Sequence, residues 1–246
     1  PVAKLYINDG EGNYTEVDET PFVGVFASSI AFADIDGDKD MDLLITGDSA
    51  FSPSHMKFTG VSKLYVNDGV GRFTEELEIP IDAVTSSSIS FTDIDGDEDM
   101  DLLITGSFLS KLYTNDGNGN YTEVLETPFD GVRYSSAAFA DVDGDGDMDV
   151  LITGNASKSG HNSSPIPISK LYLNDGNGLF TVLDNVPFDV YSSHLGIHTN
   201  TAQWTESVSG GVTSYTIEIL VEDFSNNYNS DDLVFVQDFR SLLKDL

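Results

Sequence analysis

Three nine-residue stretches concentrate the side chains of this sequence that could do chemistry. They run Asp34-Ile35-Asp36-Gly37-Asp38-Lys39-Asp40-Met41-Asp42, Asp93 to Asp101, and Asp141 to Asp149, and each has the form D-x-D-G-D-x-D-M-D. Glycine at the fourth place lets the backbone fold back on itself. The carboxylates at places one, three, five and nine then converge: Asp34, Asp36, Asp38 and Asp42; Asp93, Asp95, Asp97 and Asp101; Asp141, Asp143, Asp145 and Asp149. At roughly 5 Å and an effective dielectric of about 20, each like-charged pair repels by about 3 kcal/mol. A cation in the turn removes that penalty. All the donors are oxygens, with no sulfur or imidazole, so a hard divalent ion fits. A flexible loop supplying roughly 6–8 oxygens favours calcium over magnesium. The seventh place (Asp40, Asp99, Asp147) is expected to offer its backbone carbonyl while its side chain faces solvent. About three calcium ions per chain are expected. An EF-hand is excluded, because it needs Gly at place six and Glu at place twelve, and place twelve here is Ile45, Ile104 or Ile152.

The composition narrows the alternatives. The chain carries 42 acidic against 11 basic residues, a formal net charge of −31. That excludes nucleic-acid binding through a basic face and argues against anionic membrane surfaces. The acidity is clustered, with 16 of the 42 acids inside the three turns. There is no cysteine, which removes disulfides, thiolate metal sites and cysteine nucleophiles. No apolar run approaches the roughly 18–20 residues of a membrane span, so no membrane insertion is expected. A start at Pro1 without an initiator methionine is expected of a processed chain or a piece of a longer one. The four histidines (His55, His161, His194, His198) fall in insertions or in the divergent C-terminal part and are expected at the surface. No Ser/His/Asp set can be assembled, and the chain is not expected to be an enzyme.

The elements that must position the turns repeat. The phrase K-L-Y-x-N-D-G-x-G-x-[FY]-T occurs at Lys4, Lys63, Lys111 and Lys170, spaced 59, 48 and 59 residues, and the acidic turns are spaced 59 and 48. The unit is therefore 48 residues, with 11-residue insertions at Asp48–Val61 and Asn155–Ile168, both expected as exposed loops. Alternation predicts four strands per unit, represented by Ser29–Ala33, Leu43–Thr46, Lys63–Val66 and Phe73–Glu76, with N-D-G-x-G as the hairpin between the last two. No helical period runs across a unit. Four strands in about 50 residues, stacked on like neighbours, is the arithmetic of an all-β, β-propeller fold of four-stranded antiparallel blades. Full blades are expected at about 28–77, 86–125 and 135–183, with a half-blade at 1–17. The repeats cover 1–191. In the divergent region 192–246, strands are expected at His198–Thr205 and Ser214–Glu222, and the tail Asp232–Leu246 as a short strand followed by a short helix. Two C-terminal inner strands could complete the half-blade. That would close a four-blade ring in one chain or an eight-blade ring in a homodimer; otherwise the chain is a segment of a larger propeller.

With these motifs in place, the chain resembles the FG-GAP/VCBS repeats of integrin-α-type β-propellers over residues 1–191. In that family the acidic loop joins the first two strands of a blade and holds calcium. The resemblance implies the ligand sets Asp34, Asp36, Asp38, Asp40 and Asp42; Asp93, Asp95, Asp97, Asp99 and Asp101; Asp141, Asp143, Asp145, Asp147 and Asp149. Place six is Gly146 in the third turn but Lys39 and Glu98 in the others. The implied function is a calcium-stabilised module, secreted or on the cell surface, that binds an extracellular protein or glycan in adhesion. The alternative is a lectin or an accessory domain of a secreted polysaccharide-degrading enzyme. Phe51, Phe58, Tyr134 and Tyr191 form either a binding rim or ordinary blade core.

Overall fold

The computed structural model describes residues 1–49, 59–156, 166–183, 197–209 and 212–223, the last two segments by backbone alone. Every regular element among them is a strand. A two-stranded antiparallel pair, β1 (Tyr6–Asn8) and β2 (Tyr14–Glu16), comes first. Three four-stranded antiparallel meanders follow. Unit 1 is β3 (Phe26–Ala33), β4 (Asp42–Asp48), β5 (Gly60–Asn67) and β6 (Phe73–Glu76). Unit 2 is β7 (Ser88–Thr92), β8 (Asp101–Gly106), β9 (Leu109–Asn115) and β10 (Tyr121–Val124). Unit 3 is β11 (Val132–Ala140), β12 (Asp149–Ala156), β13 (Ile166–Asn174) and β14 (Phe180–Val182). Units 2 and 3 share one sheet through a single pairing of Val132 with Leu109. A last antiparallel pair, β15 (Ile197–Ser209) and β16 (Val212–Asp223), lies with β15 alongside β11.

The strands form where the alternation predicts, but several run longer. Asp48 pairs with Gly60, Asn155 with Pro167 and Ala156 with Ile166. The ends of both expected loops, Asp48–Val61 and Asn155–Ile168, are therefore ladder. Once two strands are antiparallel neighbours, their backbone groups continue to pair whatever the side chains. Residues 50–58 and 157–165, the tail Asp232–Leu246, and with them Phe51, His55, Phe58, His161, Tyr191 and His194, lie outside the described residues.

Both faces of each central strand are buried, which is why β4, β8 and β12 are nearly unbroken apolar runs. Leu44 and Leu64 of unit 1 pack with Ile89, Leu102, Ile104 and Tyr113 of unit 2. Leu103 and Leu112 turn the other way, onto Val150, Ile152 and Tyr172 of unit 3. Alternation along one strand thus supplies two successive seams. On its far side unit 1 buries Leu43, Ile45 and Tyr65 under Phe22, Val23 and Val25 of the preceding linker.

Polar groups stitch the seams. Among the Ser-rich first strands, the Ile89 N–H donates to Ser29 Oγ, the Ala137 N–H to Ser88 Oγ, and Ser90 Oγ to the Ala137 carbonyl. The Thr of the first two T-G steps meets a Ser of the next unit at 2.7 Å, Thr46 with Ser87 and Thr105 with Ser135. Small polar side chains on and beside the first strands therefore bond one unit to the next.

Candidate metal centre

Each acidic turn joins the first and second strands of its unit, and place nine is the first residue of the second strand. Asp42, Asp101 and Asp149 are each 1% exposed. Their two oxygens accept backbone N–H groups from two directions. Asp101 takes Ile94 at 2.9 Å and Asn115 at 2.8 Å; Asp42 takes Ile35 and Asn67, and Asp149 takes Val142 and Asn174. Place nine thus ties the start of its turn to the end of the third strand. Place one closes the turn from inside. Asp34 accepts the Gly37 and Lys39 N–H groups, Asp93 those of Gly96 and Glu98, and Asp141 those of Gly144 and Gly146.

This latticework leaves one carboxylate from each of places one, three and nine pointing together. Asp34, Asp36 and Asp42 bring ligand atoms within 4.8 Å of one another, as do Asp93, Asp95 and Asp101, and Asp141, Asp143 and Asp149. Burial pushes the Asp101 and Asp149 carboxyls up to about 6, against the backbone N–H groups that would lower them. Asp42 is raised for the same reason. Asp95 is raised first by burial, then by the charges of Asp97 and Asp93. Its Oδ1 is buried and meets no hydrogen-bond donor. A buried carboxylate oxygen without a donor is costly, and a cation in the triplet would satisfy it. The residues present therefore fit a hard, oxygen-seeking ion.

The structure separates the expected ligands into two groups. Places one, three and nine come together. Places five and seven stand outside the triplets: Asp38, Asp97 and Asp145 each accept the N–H of place seven, and place seven points elsewhere. The side chains of Asp40, Asp99 and Asp147, expected toward solvent, are half-exposed. They lie against Gly69, Gly117 and Gly176 of the N-D-G hairpin of their own unit. The turn curls toward that hairpin, and the neighbouring charges of Asp68, Asp116 and Asp175 help raise the three carboxyls, after burial as the first cause.

Those glycines meet two demands. Gly117 sits at φ 72°, and a Cβ there would lie 2.6 Å from both Asp99 oxygens. The sequence shows the first demand as a turn signal but not the second. It also hides the role of the Asn before each hairpin. Asn115 Nδ2 donates to the Ile35 carbonyl at 2.8 Å, and Asn174 Nδ2 to the Ile94 carbonyl at 2.8 Å. Each Asn thus binds place two of the preceding unit's turn while its own N–H binds place nine of its own unit. Ile35 and Ile94 are buried in the seams, so the acidic turns are fixed across units as well as within them. The linkers do the same at other points. Asp82 accepts from Tyr113 Oη and pairs with Lys111, and its carbonyl accepts from Ser62 Oγ of unit 1. Only the exact repetition of K-L-Y and of Asn could have signalled this.

Tyr134, expected either in a rim or in a core, is half-buried, with the Arg133 guanidinium 5.1 Å from its ring centre and 4.7 Å from that of Phe108. It belongs to the contact between units 2 and 3. His198 lies in β15, where the backbone alone is described.

Comparison with known proteins agrees with the repeat pattern. The FG-GAP-like repeat family model matches residues 2–45 and 107–152. These segments include the first and third acidic turns; the second turn lies between them. No curated protein matches the chain. Among solved structures, a lectin from Agrocybe aegerita, described as specifically recognising non-reducing terminal N-acetylglucosamine, is similar at 19% identity and a TM-score of 0.48. The likeness covers 72% of this chain and 44% of the lectin, so the chain spans less than half of that protein's length. Two segments of the chain, residues 2–45 and 107–152, are therefore similar to FG-GAP-like repeats.

Proposed function

We propose that this chain is a calcium-stabilised β-propeller module without catalytic activity, with one calcium ion in each acidic turn. The observation that carries the reading is the triple convergence of places one, three and nine within 4.8 Å, together with the donorless, buried Oδ1 of Asp95. Oxygen-only donors on a flexible loop favour calcium over softer or more rigidly octahedral ions. Three stacked four-stranded meanders with apolar seams support the propeller architecture. In this reading the three units are blades, and the ions lock turns of which the first two are also hydrogen-bonded to the following blade. Calcium near millimolar concentrations fills even weak sites, which suits a secreted or cell-surface setting. The module would offer its loops to an extracellular protein or glycan.

Crystals grown in 10 mM calcium test the metal assignment: density for an ion in each triplet is expected, and vacant triplets defeat it. A glycan array alongside a screen of extracellular proteins separates the two partner classes.

A further inference from the structure

The N-D-G hairpins of units 2 and 3 each touch two acidic turns. The unit 2 hairpin begins at Asn115, which is only 5% exposed. Its backbone N–H donates to Asp101 Oδ1 at 2.8 Å, and its Nδ2 donates to the Ile35 carbonyl at 2.8 Å. Asp101 is place nine of the second turn, and Ile35 stands between places one and three of the first. The glycines that follow repeat this double contact. Gly117 lies against the Asp99 carboxylate of the second turn, and a Cβ on Gly37 of the first turn would lie 3.4 Å from the Gly117 carbonyl oxygen. A Cβ on Gly119 would lie 3.8 Å from that of Asp36.

Unit 3 has the same arrangement. Asn174, also 5% exposed, donates its N–H to Asp149 Oδ1 at 2.9 Å and its Nδ2 to the Ile94 carbonyl at 2.8 Å. Gly176 lies against Asp147 of the third turn, and a Cβ on Gly178 would lie 3.4 Å from Ile94 Cδ1 of the second. Two hairpins thus join the three turns in series, with the second turn in the middle. In each join one buried asparagine holds a carboxylate of its own turn with its backbone and the preceding turn with its side chain.

We propose that Asn115 and Asn174 are positioning residues that couple the three turns, so that calcium bound at one turn strengthens binding at the next. The inference rests on the calcium reading above and deepens it. Without an ion, the carboxylates of places one, three and nine repel one another and favour a looser turn. With an ion they are held together, and place nine is fixed. A fixed Asp101 steadies Asn115, and with it the amide that holds Ile35, so the first turn is ordered before its own ion arrives. An ordering cost already met by one ligand is not met again by the next, which is positive coupling. The effect is reciprocal between any two joined turns. Charge alone gives the opposite sign, because each divalent ion weakens the negative field that draws the next.

Calcium titration of the full chain, followed by NMR at the amides of Gly37, Gly96 and Gly144, reads each turn separately, since each of these N–H groups donates to place one of its own turn. In the wild type the three turns should fill together, more steeply than independent sites allow. Asn115→Ala should detach the first turn and leave the second and third coupled. Asn174→Ala should detach the third and leave the first and second coupled. A general loss of stability would not exchange partners in this way. Asp95→Asn keeps the shape of the side chain and removes the middle site. It should weaken calcium binding at the first and third turns at least about fivefold. Charge alone predicts tighter binding there, because a second turn loaded with calcium is less negative than the Asp95→Asn turn. Three independent sites, first and third turns that bind as tightly or more tightly in Asp95→Asn, or alanine variants that share one pattern would each overturn the inference and leave the calcium reading standing. No uptake at any turn overturns both.

Discussion

Substituting Asp95 by Asn should change the sign of its effect with calcium. In the absence of metal the second turn holds three carboxylates within 4.8 Å. At an effective dielectric of about 20, each pair repels by about 3 kcal/mol, and Asp95→Asn removes two of the three pairs. Asp93 and Asp95 are only partly buried, so solvent screening reduces the roughly 6 kcal/mol severalfold, to about 1–2 kcal/mol of stabilisation. Asp93 and Asp101 have backbone donors to spread their charge, whereas Asp95 Oδ1 has none. Relief should therefore be largest at this position. With calcium the variant loses one site. At calcium concentrations 100 to 1,000 times the dissociation constant, that forfeits about 3–4 kcal/mol of linkage, enough to reverse the order. Urea unfolding in chelator and in calcium, at matched ionic strength, measures both arms. Asp95→Asn should be more stable than wild type in chelator and less stable in calcium. A variant that is less stable in both buffers, or more stable by the same amount in both, refutes the reasoning.

The metal-free protein should gain stability as the pH falls from 7 toward 4.5. Asp101 and Asp149 bind protons more tightly folded than unfolded, with carboxyls at about 6 against an ordinary value of 3.8. The stability they confer is complete below the unfolded value and lost as the pH rises through about 6. Thermal melts in chelator check this, and added calcium should shrink the trend because the bound ion favours the ionised form. Asn115→Ala should cost about 1–3 kcal/mol, since it leaves the buried Ile35 carbonyl without its donor. Asn67→Ala should cost less, as its side chain reaches Met41 within unit 1 at an exposed position; urea titrations compare the two. Gly117→Ala should destabilise more than Gly96→Ala. Both have positive φ, but only Gly117 has a carboxylate where the Cβ would go. Asp99→Ala in the Gly117→Ala background should recover the difference, measured as a double-mutant cycle.

How much of this was legible in the sequence depended on whether the information was local. The β-strands of each unit and the N-D-G-x-G hairpins follow from alternation and glycine, and they stand where expected, with Phe73–Glu76 to the residue. The C-terminal strands were also visible as His198–Thr205 and Ser214–Glu222, inside the longer β15 and β16. The convergence of Asp34, Asp36 and Asp42 follows from spacing plus a glycine turn. Directions across the fold could not be read. That Asp40 lies beside Gly69 depends on where the strand that closes at Asn67 ends. The hydrogen bonds from Asn115 to Ile35 and from Asn174 to Ile94 each span 80 residues, longer than any repeat spacing in the sequence. Asp82 and Asp130 look like linker residues, yet they take Tyr113 and Tyr172 hydroxyls. In each case the sequence names the residue, but only the stacking of units names its partner.

Equilibrium dialysis of the full chain against radioactive calcium at about 1 mM tests the central assignment most directly. Three ions bound per chain, falling to two in Asp95→Asn, is the predicted result. No uptake, or uptake that magnesium or sodium at equal ionic strength displaces completely, would contradict it.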